Sequence, residues 1–151
     1  FKHSYGISSI TYTGEDFLIL KVLGEDGSYG LADSVTAIPF GYEDVDTIIH
    51  IIQKYLAKAI RGMDSLDMEA IGNSMQRAVP GHPMAKAAID IALHDLNAKL
   101  LGIPVYQMLG GKFRDKIKLG GGEKAIQKQK DKVKSYYKHP DIQRNSDQLS
   151  I

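Results

Sequence analysis

The 151-residue chain is 43% hydrophobic and 25% charged and has no cysteine; this excludes disulfide frameworks, thiolate zinc sites and cysteine nucleophiles and suits neither a disordered nor a membrane-embedded polypeptide. No apolar run approaches the roughly 18 to 20 residues that a membrane helix needs, and the opening FKHSYGISS has no signal-peptide core, so a soluble, cytoplasmic protein without a membrane partner is expected. The net charge of +1 hides a division, with 8 Lys/Arg against 13 Asp/Glu in residues 1 to 111 and 11 against 5 in 112 to 151; the basic part interleaves its lysines with acids and shows no aromatic platform, so no nucleic-acid partner is expected.

FLILKVLGEDGSYGLADS contains two runs of strand-forming residues joined by Gly24-Glu25-Asp26-Gly27. An Asp-Gly pair between such runs predicts a β-hairpin, with strands over about residues 17 to 23 and 28 to 34. VTAIPFGYED follows, a loop with Pro39 and Gly41 that ends in acids. Glu43, Asp44 and Asp46 then sit in the first turn of a helix, where negative charge is favoured. Val45, Ile48, Ile49, Ile52, Leu56 and Ile60 recur at helical spacing, and Arg61-Gly62 supplies the stop.

A second helix is predicted over about Asp67 to Val79, capped by Ser65 or Asp67 and ended by Pro80-Gly81-His82-Pro83, which cannot propagate a helix. A third runs from about Met84 to Leu101 and closes at Gly102, with Pro104 beyond. VYQMLGG reads as a short turn, DKIKL as a strand, and Glu123 to about Tyr137 as a lysine-rich helix whose few apolar positions require a partner surface. The last stretch, HPDIQRNSDQLSI, is polar and reads as loop.

The third helix concentrates ionisable residues. On a helical wheel Ala85, Ala88, Ile89, Ala92, Leu93, Leu96 and Leu100 form a buried stripe. Asp90, His94, Lys86 and Asn97 fall on the opposite side, and Asp95 and Lys99 at the edge of the stripe. Asp90 and His94 are four apart, a spacing that suits a metal, yet two ligands without a third read as solvated surface. Asp95 and Lys99 form an i,i+4 pair in the favourable orientation. These residues read as scaffold.

Three phrases in this order, DGSYGLADS, RGMDSLDMEAI and MAKAAIDIALHDLNAKLLGIPVYQMLGGKFRDKI, give the chain a recognisable likeness. It resembles the N-terminal capping domain of the enolase superfamily, in its muconate-lactonizing and mandelate-racemase branch. Ala85 to Arg114 carries the most specific part: a small-residue helix, Gly-x-Pro-x-Tyr, then Leu-Gly-Gly and Arg-Asp. The resemblance implies an α+β fold, an antiparallel β-meander followed by a helical bundle. It divides the chain into a capping domain over 1–111, at most the first βα unit of a TIM-like barrel over 112–138, and a polar tail over 139–151.

In this family the cap docks over a (β/α)-barrel that binds Mg²⁺ through carboxylates at successive strand ends. A barrel lysine or histidine there removes the proton α to a carboxylate. The resemblance therefore implies a cycloisomerase, racemase, epimerase or dehydratase type of enzyme, an isomerase or lyase, acting on a small carboxylate and assembling as a homo-oligomer. A barrel needs about 200 residues, so the base and the Mg²⁺ ligands are not expected in this chain, which alone is expected to be inactive. Phe1 matches the end of the family's first strand, which places the opening strand of the meander before it. Lys116-Ile117-Lys118 and Lys128-Gln129-Lys130 imitate a Lys-x-Lys base but read as surface lysines, and LGGGEK over residues 119–124 lacks phosphate-loop spacing. Asp33 stands where the family commonly has Glu, and His94 where Trp is frequent; neither suggests new chemistry.

Two cap loops in the family close over the barrel mouth and touch the distal part of the substrate. By position they are about residues 2–13 and 35–42. The candidate substrate-binding residues are His3, Ser4, Tyr5, Phe40 and Tyr42, aromatic and small polar groups of the kind that line a mostly apolar pocket. The alternative is a non-catalytic binding or structural fragment without a barrel.

Overall fold

The computed structural model describes residues 5–7, 10–35, 43–117 and 131. Two antiparallel hairpins come first. β1 (Tyr5–Ile7) pairs with β2 (Ile10–Tyr12), with Tyr5 opposite Tyr12. β3 (Phe17–Leu23) pairs with β4 (Tyr29–Val35), from Phe17 opposite Val35 to Leu23 opposite Tyr29. Helices follow: α1 (Val45–Ile51), a π-helical turn (Ile52–Leu56), α2 (Ala57–Ile60), α3 (Met68–Ala78), α4 (Pro83–Leu101) and α5 (Val105–Met108).

The β3–β4 hairpin forms where the Asp-Gly signal places it. Asp26 Oδ1 accepts from the N–H and the hydroxyl of Ser28, and Gly24 N–H donates to Ser28 O at 2.8 Å. Alternation then puts Leu18, Leu20, Ala32 and Ser34 on the buried face. α4 crosses that face closely enough to demand glycine at position 30. A Cβ there would stand 1.9 Å from Ala92 O and 2.7 Å from Leu96 N, both backbone atoms that a side-chain adjustment does not move.

The rest of the core joins Ile48, Ile51, Ile52 and Leu56 to Ile71 and Met75 of α3 and to Ala85, Ala88, Ile89, Ala92, Leu93 and Leu96 of α4. α4 ends in a Schellman arrangement, with Ile103 N–H donating to Ala98 O and Gly102 N–H to Lys99 O. Gly102 takes the left-handed φ of 65° that this ending requires.

Several expectations are corrected. The helix that follows the 36–42 segment is not α-helical throughout, because its middle winds as a π turn at Ile52–Leu56. Asp67 holds the N-cap position of α3 without a side-chain cap bond. Its backbone, at φ −80° and ψ 53°, lies outside the extended geometry that capping favours, and Asp64 instead accepts from Leu66 N–H at 2.9 Å. Asn97 is wholly buried rather than outward, since the α2–α3 connection covers it: its Nδ2 donates to Ser65 O at 2.6 Å. Leu100, expected in the stripe, is 46% exposed at the rim of an open cleft.

VYQM forms the short helix α5 rather than a turn. Asp115–Ile117 is not a strand, and the remainder of DKIKL lies outside the described residues. So does the lysine-rich helix, apart from Asp131, whose backbone is helical. The β1–β2 pair was not anticipated in the stretch read as a substrate loop.

Candidate functional site

The register of the β3–β4 hairpin sets where the chain enters and leaves the sheet. Phe17 and Val35 are opposite one another at the end away from the Gly24–Ser28 turn. The chain before β3 and the chain after β4 therefore attach at the same end of the sheet. Both segments singled out from the sequence are joined to the scaffold there. Tyr5 lies in β1, opposite Tyr12; His3, Ser4, Phe40 and Tyr42 lie outside the described residues.

Glu43, the first described residue after the 36–42 segment, is only 4% exposed. Its Oε1 accepts from His82 Nδ1 at 3.0 Å and its Oε2 from Met84 N–H at 2.7 Å. A carboxylate only accepts, so the His82 hydrogen sits on Nδ1. Asp44 beside it performs the ordinary cap of α1, accepting from Thr47 N–H at 2.7 Å, and these bonds hold its carboxyl below the usual Asp range. Sequence reasoning placed Glu43 in a helix first turn and missed its partners, because a link across 39 residues leaves no local signal.

Asn97 apart, the polar residues of α4 separate as the wheel implies. Asp90 is exposed, and His94 Nδ1 bonds Asp90 O at 2.9 Å, with Asp90 Oδ2 at 3.4 Å. Asp95 and Lys99 have a role that the wheel does not show. Asp95 Oδ2 accepts from Lys99 Nζ at 2.6 Å and from Leu31 N–H at 2.8 Å, while Lys99 Nζ also donates to Tyr29 O at 3.0 Å. The pair thereby satisfies backbone groups of β4, which would otherwise be an open edge. Burial is the largest influence on the Asp95 carboxyl and pushes its pKa up. The Lys99 hydrogen bond, the Leu31 N–H and the Lys99 charge together outweigh it, and the net shift is downward.

A cleft of about 800 Å³ opens between β3, α2 and α4, lined by Leu20, Val22, Ile60, Met63, Leu93 and Leu100. It is mainly apolar and includes the turn residues Gly24 to Asp26, which puts it at the other end of the hairpin from the candidate segments. Among the described residues no strand pairs with the outer edge of β3. Nor, among them, do three His, Asp or Glu side chains converge as a metal site would require, so these residues do not fit the Mg²⁺ that the resemblance implies. No described helix is long and apolar enough to cross a membrane.

A small antiparallel sheet backed by helices is the architecture of an N-terminal capping domain. The chain belongs to the mandelate racemase/muconate lactonizing enzyme family, whose N-terminal domain it matches over residues 2–110. It is 40% identical over 116 residues to a chloromuconate cycloisomerase of Cupriavidus necator, covering 77% of this chain and 28% of that protein. It superposes on the crystal structure of the N-succinyl Arg/Lys racemase of Bacillus cereus with a TM-score of 0.72 and 26% identity, over 87% of this chain and 37% of that one. A dipeptide epimerase of Cytophaga hutchinsonii, solved with Mg and the dipeptide D-Ala-L-Val, gives a TM-score of 0.70 and 33% identity, over 77% of this chain and 31% of that one. The chain spans less than a third of the length of the curated relatives it matches.

Proposed function

We propose that this chain is the capping domain of an enzyme that removes the proton α to a carboxylate, and that its part in the reaction is substrate selection rather than proton transfer. The observation that carries the reading is the common root of the 2–13 and 35–42 segments at the Phe17/Val35 end of the hairpin. Two segments so rooted are suited to close together over a neighbouring active site. Closure excludes water and completes the surface that meets the distal part of the substrate. His3, Ser4, Tyr5, Phe40 and Tyr42 are the proposed contacts.

The substrate class is a small carboxylate, and the reaction class is cycloisomerisation, racemisation or epimerisation. Mg²⁺, when bound, would stabilise the negative charge that develops on the carboxylate as the α proton leaves. Its ligands and the base are assigned to the barrel, as the resemblance to the family implies. Leu101, Tyr106, Leu109, Phe113 and Ile117 all lie near or beyond the end of α4 and expose 47% to 87% of their surface. An apolar surface of this kind supports docking against another domain.

The test is a domain exchange. Residues 2–110 replace the corresponding cap of the Bacillus cereus racemase, and kcat/KM is measured over a panel of N-acyl amino acids. The reading expects racemisation to persist with a changed order of preference, and Tyr5→Ala or Phe40→Ala to change that order again while α-proton exchange continues. An order identical to that of the parent racemase and indifferent to both variants would contradict it.

A further inference from the structure

We propose that the outward face of the β3–β4 hairpin is a self-association surface, on which a second copy of this chain docks about a two-fold axis with Lys21 of each copy against Asp33 of the other.

The alternation that buries Leu18, Leu20, Ala32 and Ser34 beneath α4 turns the odd-numbered residues the other way. A sheet face left to water carries mostly polar side chains. This one carries Phe17, Ile19, Leu23, Tyr29 and Leu31, which expose 42% to 54% of their surface. With about 150 to 250 Å² available on a large side chain, the five leave on the order of 400 Å² of apolar surface open, the size at which a patch on a monomer is often a binding surface. That is about half of the roughly 800 Å² per partner that a standard stable interface buries. The patch therefore supplies the core of a dimer that associates weakly. It is also separate from the exposed apolar groups beyond α4, because α5 packs on α4 and α4 lies against the opposite face of the sheet.

Charge argues that the occupant is a second copy. The outward face has two charged side chains of opposite sign, Lys21 on β3 and Asp33 on β4. Lys21 pairs with Leu31 and Asp33 with Ile19, so the two stand on a diagonal of the two middle rungs. They do not pair with each other: Lys21 Nζ lies 4.4 Å from the centroid of the Tyr29 ring, towards the turn, and among the described residues neither has an ion-pair partner. A two-fold axis lying between two copies, perpendicular to that diagonal, exchanges the two positions and brings each Lys21 over the partner's Asp33. With strands about 4.8 Å apart and same-face residues about 6.8 Å apart, the strands of the two copies then cross at roughly 70°, towards the orthogonal class of sheet packing. Ile19 and Leu31, on the other diagonal, fall close to the axis and meet their own counterparts. The face is thus complementary to itself, as an isologous interface requires, and its charges fix the register more than they add affinity.

Sedimentation velocity of the 151-residue chain over about 1 to 500 μM, the range suited to an interface of this size, tests this. A monomer–dimer equilibrium is expected. Lys21→Glu and Asp33→Lys each oppose like charges twice and are expected to weaken the dimer by about tenfold or more. An equimolar mixture of these two variants regains both opposite-charge pairs, so it should return to within about threefold of the wild-type affinity, as should the double variant Lys21→Glu/Asp33→Lys. Circular dichroism checks that each outward substitution keeps the fold. Ile19→Ser, near the axis, should also weaken the dimer by about tenfold. Should a charge variant not fold, Ile19→Ser and the double variant decide by the same criteria. A chain that stays monomeric throughout, as it would if the face belongs to another domain or partner, overturns the inference. So does growth beyond the dimer, an affinity that Lys21→Glu, Asp33→Lys and Ile19→Ser leave unchanged, or a loss that neither the mixture nor the double variant recovers.

Discussion

Asp95 offers the most discriminating test of the scaffold. Replacing it with alanine removes the acceptor for Leu31 N–H and the partner of Lys99 Nζ together. A hydrogen bond to a charged group contributes about 1.5 to 3 kcal/mol, but Asp95 is 31% exposed and Lys99 46%, so the ion pair counts only at its surface value of about 0.5 kcal/mol. Alanine regains about 0.5 kcal/mol of helix propensity. The net loss is about 1 to 2 kcal/mol, which for a folded unit of this size lowers Tm by about 4 to 8 °C. Asp90→Ala is the control: its carboxylate is 53% exposed and its only partner among the described residues is His94. There the lost pair and the propensity gain offset each other to within about 0.5 kcal/mol. Thermal unfolding followed by circular dichroism measures both. Equal melting temperatures would show that the Asp95–Lys99 pair does not hold the β4 edge.

Three further outcomes are expected. Gly30→Ala should cost about 3 kcal/mol or more in urea unfolding, because the new methyl group meets α4 backbone at 1.9 Å and must separate sheet from helix. Ile89→Ala, at a buried position, should cost about 2 to 5 kcal/mol and Leu100→Ala, at the cleft rim, less than about 1 kcal/mol; equal losses would contradict the packing. The Asp95 carboxyl is held below its ordinary value of 3.8 in the folded chain, so its contribution is complete above that pH and is lost as pH falls through the folded-state pKa. The stability difference between wild type and Asp95→Asn should therefore be constant near neutrality and narrow below about pH 4.

Local signals were the legible part of this sequence. The Asp26-Gly27 turn and the alternation of β3 gave the hairpin, and the spacing of Ala85 to Leu96 gave the buried face of α4. Where the wheel misplaced residues, a neighbouring element was the cause. Asn97 is covered by the Ser65 turn, which no periodicity within α4 announces, and Leu100 borders an open cleft between α4, α2 and β3.

The candidate site was legible in part. The segment containing Phe40 and Tyr42 follows β4 in the sequence, but its common root with the N-terminal segment depends on the pairing of Phe17 with Val35, a relation between strands. The bond between Glu43 and His82 spans 39 residues and ends on a histidine in a Pro-Gly-His-Pro turn. Neither end carries a mark that composition or spacing would single out.

The division of labour between cap and barrel is the central claim. It is tested most directly by α-deuterium incorporation, read by proton NMR in D₂O with Mg²⁺ over a panel of small carboxylates, for the 151-residue chain and the racemase chimera side by side. Exchange by the chimera alone is the expected result. Exchange by the isolated chain would place the base within these residues and contradict the account.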